Sequence, residues 1–210
     1  MPTARESLLD AAHLAIAAHS WPKVRMVEVA AVAGVSRQTL YNEFGGKDGL
    51  ARALVRRETD MFLRGVDQAL AAAEHPREQM TAVVEWTVRA ARAHPLVRAL
   101  LTGCWDSRLP TPQPVRPHAP ALVPAQRRAD AGVPSPTELS LAVRDRLAHA
   151  LNCGQDGLRH CELVVRLALS YVVAPPGGGA TEEGMGEGAF RVLFGPWDGE
   201  ATDHCADPES

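Results

Sequence analysis

The chain has 210 residues, 46% hydrophobic and 22% charged, with a formal net charge of −3. This composition excludes a disordered or fibrous chain and is sufficient for one or two compact domains with a substantial core. The net charge alone argues against a nucleic-acid binder, but its distribution does not: residues 1–57 carry eight Lys/Arg against five acids, and residues 58–210 carry 14 against 20. A positive module joined to a negative one suits docking on phosphate by one end only.

Helical periodicity dominates and no strand pattern emerges, which predicts an all-α fold. The first helix starts at a capping box, Thr3 with Glu6. Leu8, Leu9, Ala12, Leu14, Ala15, Ile16 and Ala18 form its apolar side, and Trp21-Pro22 breaks it. A second helix spans about 26–33, with Arg25 standing where a Ser, Thr or Asp cap is expected. Ala33-Gly34-Val35-Ser36 is a tight turn: Gly34 sits where the chain must reverse, and Ser36 fits an N-cap. In the third helix, about 36–44, Leu40 and Phe44 point inward one turn apart. Arg37, Gln38, Thr39, Tyr41 and Asn42 are left on the other side, and they are side-chain types that reach base edges and phosphates. Two short helices about a sharp turn form a helix-turn-helix, whose second helix enters the DNA major groove.

A long fourth helix, about 47–73, has a predicted stripe of Leu50, Leu54, Met61, Val66 and Leu70. It crosses from the basic module into the acidic one. A fifth, about 77–94, has Met80, Val83, Val84, Thr87, Val88 and Ala91 in one stripe with Trp86 beside it, and Pro95 separates it from a short sixth at 96–104. Residues 107–134, with seven prolines, read as a loop with at most a short helix near 122–131. Ser135-Pro136-Thr137-Glu138 opens the next helix, along which Leu139, Val143, Leu147, Ala150 and Leu151 recur. A helix at about 157–173 is apolar almost all round from Leu163 and must be covered on several sides. A glycine-weakened helix at 181–194 and an acidic, disordered tail at 195–210 complete the reading.

The N-terminal third resembles the TetR/AcrR family of bacterial transcriptional regulators over about residues 5–55. The residues that carry this are Leu8-Leu9-Asp10-Ala11-Ala12, Val29-Ala30, Ala33-Gly34-Val35-Ser36, Thr39-Leu40-Tyr41, Phe44, Lys47 and Leu50. The segment RQTLYNEFGGKDGL is also similar to actinobacterial members that respond to alkanes or fatty acids. The rest of the chain resembles the family in helicity and length. The resemblance implies a DNA-binding domain at 1–46, a ligand-binding and dimerisation domain at 47–194, and a homodimeric repressor that a small apolar effector releases from a palindromic operator. It assigns base and phosphate contacts to Arg37, Gln38 and Thr39, and phosphate contacts to Tyr41 and Lys47; Ser36, the N-cap, and Asn42, on the outward side of the helix, complete the expected DNA-binding set. Arg25, in place of the usual capping threonine, becomes a possible phosphate ligand.

Alternatives stand beside these assignments. The exposed residues of the third helix can be solvated surface, and Arg52, Arg56 and Arg57 read more readily as solvated than as phosphate clamps. Met80, Trp86, Leu101, Trp105 and Leu147 are either ligand-cavity lining or plain core, and Arg89 beside Trp86 is either a carboxylate receptor or a surface ion pair. Leu163, Arg166, Leu167, Ser170 and Tyr171, with Phe190 and Leu193 of the last helix, are the expected dimer surface. Cys153, His160 and Cys161 lack a recognised ligand spacing and a fourth ligand, so no metal is expected, and no cofactor. The four cysteines have no CxxC pair and read as reduced thiols. The longest uncharged apolar run, 167–174, is too short to span a bilayer and no signal core follows Met1, so a cytoplasmic location is expected. An enzyme needs an aligned nucleophile and base; GxSxG, HExxH, P-loop and dinucleotide fingerprints are all missing.

Overall fold

The computed structural model describes residues 2–112 and 132–174, and every regular element among them is helical. The elements are α1 (Ala4–Ala18), a single 3-10 turn (Trp21–Lys23), α2 (Met26–Val32), α3 (Arg37–Phe44), α4 (Lys47–Ala71), α5 (Pro76–Ala93), α6 (Pro95–Thr102), α7 (Pro136–Ala150) and α8 (Gln155–Val173). Both sequence-predicted capping boxes form. The Thr3 and Ser135 hydroxyls accept the Glu6 and Glu138 backbone N–H groups, and each glutamate accepts the N–H of its capping residue in return. Residues 122–131, where the loop holds at most a short helix, the expected helix at 181–194 with Phe190 and Leu193, and the 195–210 tail lie outside the described residues.

The core is one continuous cluster. Leu8, Val29, Leu40, Phe44 and Leu50 join α1–α3 to the start of α4, while Val66, Val83, Val88, Leu100, Leu139, Leu147 and Val164 join its second half to α5–α8. One helix therefore belongs to both halves. Gly65 sets the α4–α5 distance: a Cβ there would lie 1.9 Å from the Trp86 ring, whose Nε1–H donates to the Phe62 carbonyl at 3.1 Å.

Three expected apolar positions are wrong: Ala18, at the C-terminal end of α1, is exposed, and so are Met61 and Leu14. Met61 is 47% exposed, and Phe62 takes its place in the core at 2%. The buried line along α4 runs through Leu50, Leu54, Glu58, Phe62, Val66 and Leu70. Steps of four residues drift about 40° each around a helix, so the line winds as its neighbours change from α1 and α3 to α5–α7. Leu14 is 63% exposed, because it lies about 200° around α1 from buried Ala12. No described helix is long and apolar enough to cross a membrane.

Candidate nucleic-acid interface

The interface is built around α3. Gly34 closes the preceding turn at φ +68° with nothing within 4 Å of a Cβ placed there, so conformation rather than space demands glycine. Its N–H donates to the Ala31 carbonyl and that of Val35 to the Ala30 carbonyl, satisfying the end of α2. The Ser36 hydroxyl then accepts the Thr39 N–H at 3.0 Å and lies 2.8 Å from the Thr39 hydroxyl. Leu40 and Phe44 are fully buried and anchor one side of α3.

The opposite side holds the polar set in order. Arg37, Gln38 and Asn42 are exposed, and Thr39 and Tyr41 are half-buried. The Arg37 guanidinium stacks 5.4 Å from the centre of the Tyr41 ring, one turn on. The Gln38 amide donates to the Asn42 side-chain carbonyl at 2.9 Å. Gln38 keeps a second N–H and its own carbonyl, the pair that recognises an adenine edge. These one-turn pairs restrict the rotamers before any duplex arrives, which lowers the entropy lost on binding.

Two supports hold α3 against α1 and α4 and a third holds the start of α4, through Arg5, Gly49 and Trp21, which the sequence does not mark as functional. Arg5 of α1 lies 4.7 Å from the centre of the Phe44 ring and 3.5 Å from the Glu43 carboxylate. Gly49 lets α4 pass close to the end of α3: a Cβ there would sit 1.8 Å from the Phe44 carbonyl oxygen. Trp21, read only as a helix breaker, is buried beneath Lys47. A glycine three residues into a helix, where alanine has the better propensity, is the one signal that pointed to such a close approach.

Lys47 opens α4. Its ammonium donates to the Val24 carbonyl at 2.7 Å and the Pro22 carbonyl at 3.2 Å, and it lies 5.2 Å from the centre of the Trp21 ring. Burial lowers its pKa, against the opposing charge of Asp48. Two of its three N–H donors are thus used inside the headpiece, leaving one. Arg25 makes no cap; it is exposed and lies 3.8 Å from Glu28. Arg57 is not simply solvated: it pairs with Asp10 at 2.6 Å and donates to the Leu9 carbonyl at 3.1 Å, tying α4 to α1. Arg56 donates to the Gly132 carbonyl.

The other expected sites separate by burial. Met80, Leu101 and Leu147 are core, Trp86 and Trp105 are half-buried against it, and Arg89 is exposed over the Trp86 ring at 5.5 Å. None of these six lines either of two hollows among the described residues. One is an open groove of about 720 Å³ between α4, α5 and α7, lined by Leu70, Gln79, Ala142, Arg146 and His149. The other, about 170 Å³, lies where α1 meets α4 and the α5–α6 junction, lined by His13, Ile16, Glu58, His94 and Leu109. On α8, Leu163, Arg166 and Ser170 are exposed, while Leu167 and Tyr171 are half-buried.

Residues 8–54 match the profile of the bacterial regulatory proteins of the tetR family. The HTH-type transcriptional regulator AlkX of Mycobacterium tuberculosis is 32% identical over 174 residues, which cover 82% of this chain and 76% of that protein. The chain belongs to the TetR family. The TetR family repressor AlkX from Dietzia sp., implicated in biodegradation of n-alkanes, has the same fold with a TM-score of 0.52 at 22% identity, over 89% of this chain and 93% of that one. The fatty acid degradation regulator FadR from Bacillus halodurans superposes with a TM-score of 0.52 at 13% identity, over 89% and 94%. The family is one of DNA-binding transcriptional regulators, so the enzyme reading falls away. The matched stretch runs from the first core residues of α1 to Leu54 of α4 and contains every residue of the α3 surface described above.

Proposed function

We propose that the chain is a ligand-responsive repressor that binds a palindromic operator as a homodimer. The observation that carries this reading is the outward side of α3, where Arg37, Gln38, Tyr41 and Asn42 stand in paired order on a buried Leu40–Phe44 anchor. In this reading Arg37 and Gln38 address base edges, and Ser36, Thr39, Tyr41, Asn42 and the remaining N–H of Lys47 address phosphates. Arg25, exposed at the start of α2, adds a further phosphate contact. The headpiece is residues 1–46 and the body starts at Lys47, with α4 as the shared lever.

The dimer face is the outer side of α8. Leu163 and Val173 are 51% and 64% exposed, and Leu163, Arg166, Leu167, Ser170 and Val173 follow one seam at helical spacing. Twofold pairing there places the two α3 helices on half-sites whose centres lie at least about 34 Å apart. A small, mainly apolar effector would release the operator by favouring a conformer in which α4 has swung. Its leverage is limited to its differential affinity for the two conformers.

A second reading, a DNA-binding regulator without an effector, accords with the place of Met80, Leu101 and Leu147 in the core. A gel shift on the DNA upstream of the chain's own gene, repeated with fatty acyl compounds and n-alkanes, separates the two. Release by an acyl or alkyl compound supports the repressor, and a shift insensitive to all of them supports the second reading. No affinity for this or any duplex refutes both.

A further inference from the structure

Cys153 and Cys161 are eight residues apart, and their sulfurs lie 3.9 Å from one another. The corner between α7 and α8 brings them together. Asn152 adopts a positive φ of 50°, and the Cys153 N–H donates to the Ala148 carbonyl at 3.0 Å, which turns the chain back over the start of α8. Gly157 lies one turn before Cys161 on the same side of α8. A Cβ at 157 would fall 2.6 Å from the Cys153 Cβ and 2.7 Å from its sulfur. The missing side chain is the room in which the Cys153 thiol reaches over to Cys161.

The two thiols differ. Cys161 is fully buried, and burial pushes its pKa up to about 12, so it is protonated and shielded. Cys153 is partly exposed and is the sulfur a small oxidant meets first. Gly154 caps α8 through its backbone alone, its carbonyl accepting the Leu158 N–H at 3.2 Å. Closing 3.9 Å to a disulfide bond requires about 1.9 Å of approach.

We propose that Cys153 and Cys161 are a peroxide-reactive dithiol that closes to a reversible intrachain disulfide. The Cys153 thiolate attacks one oxygen of hydrogen peroxide; the O–O bond breaks, hydroxide leaves, and Cys153 becomes a sulfenic acid. The Cys161 sulfur then attacks the Cys153 sulfur. The S–O bond breaks, and the hydroxyl leaves with the Cys161 proton as water. One peroxide is reduced and two sulfurs are oxidised, and a dithiol such as dithiothreitol reverses the change. The bridge staples the α7–α8 corner to the second turn of α8, the helix that packs against both α5 and α7.

The test uses the full chain with Cys104→Ser and Cys205→Ser, so that only this pair remains. After hydrogen peroxide, denaturing alkylation is expected to find no free thiol, with an intact mass lower by two hydrogen atoms. Trypsin cuts after Arg159, between the two cysteines, so the disulfide joins two separate peptides and dithiothreitol parts them. In Cys161→Ala, Cys153 is expected to stop at a sulfenic acid that dimedone traps. Cys153→Ser changes only the partly exposed member, so the core survives, and there Cys161 is expected to resist peroxide. Retention of both thiols, a bridge between chains, or oxidation of Cys161 without Cys153 would each overturn the proposal.

Discussion

Replacing Lys47 by methionine keeps the aliphatic stem over Trp21 and removes the charge. Two effects follow, and they can be measured separately. The first is on the headpiece: the Val24 and Pro22 carbonyls lose donors at 2.7 and 3.2 Å. At a half-buried site where water competes for those carbonyls, this costs about 1–2 kcal/mol, or a few degrees of melting temperature. The second is on DNA. If the remaining N–H of each Lys47 neutralises one phosphate, a homodimer loses two such contacts. The slope of log K against log salt then becomes shallower by about 1.8. Fluorescence anisotropy on operator duplex across a salt series reads the slope, and thermal melting reads the stability. A variant that melts lower but keeps the wild-type salt slope would refute the phosphate role and leave Lys47 as an internal strap of the 3-10 turn.

Gly65→Ala tests the α4–α5 crossing. Better helix propensity contributes about 1 kcal/mol, but a methyl 1.9 Å from an indole held by its bond to Phe62 costs about 1–3 kcal/mol; melting is expected to shift down, and an upward shift would show that the ring yields freely. Arg37→Ala is expected to cost about 1–3 kcal/mol on the cognate duplex and to relax preference at one base pair; unchanged binding across a panel of base-substituted duplexes would remove Arg37 from the reading face. Hydrogen bonds from Thr3 and Ser135 hold the Glu6 and Glu138 carboxyls below their ordinary 4.5. A depressed carboxylate pKa adds stability that is complete above 4.5 and is lost as the pH falls through the folded value. The Glu6→Gln, Glu138→Gln double variant can still cap but cannot titrate, so its melting temperature should fall less between about pH 5 and pH 3; an equally steep acid loss would place the titrating groups elsewhere.

The α2–α3 turn and both capping boxes were legible because their physics is local. A left-handed residue at Gly34, a hydroxyl at Ser36 and a glutamate three residues after Thr3 or Ser135 act on backbone groups only a few positions away. The inward placing of Leu40 and Phe44 was legible for the same reason, since α3 is short enough for one period to hold throughout. Residues that reach across the fold were not legible. Nothing near Lys47 in sequence announces the Pro22 and Val24 carbonyls, more than twenty residues earlier, and nothing near Arg57 announces Asp10.

Sequence alone therefore determined the helical class, the turn chemistry and the composition of the α3 surface, since each depends on neighbours within about one helical turn, and the run of such local signals over residues 8–54 determined the family. Tertiary packing decided the phase of α4, which put Phe62 rather than Met61 inside, along with the straps beneath α3 and the meeting of Cys153 with Cys161. The reason is that a helix has no preferred inside until other helices cover it, and the bodies that cover α4 change along its length.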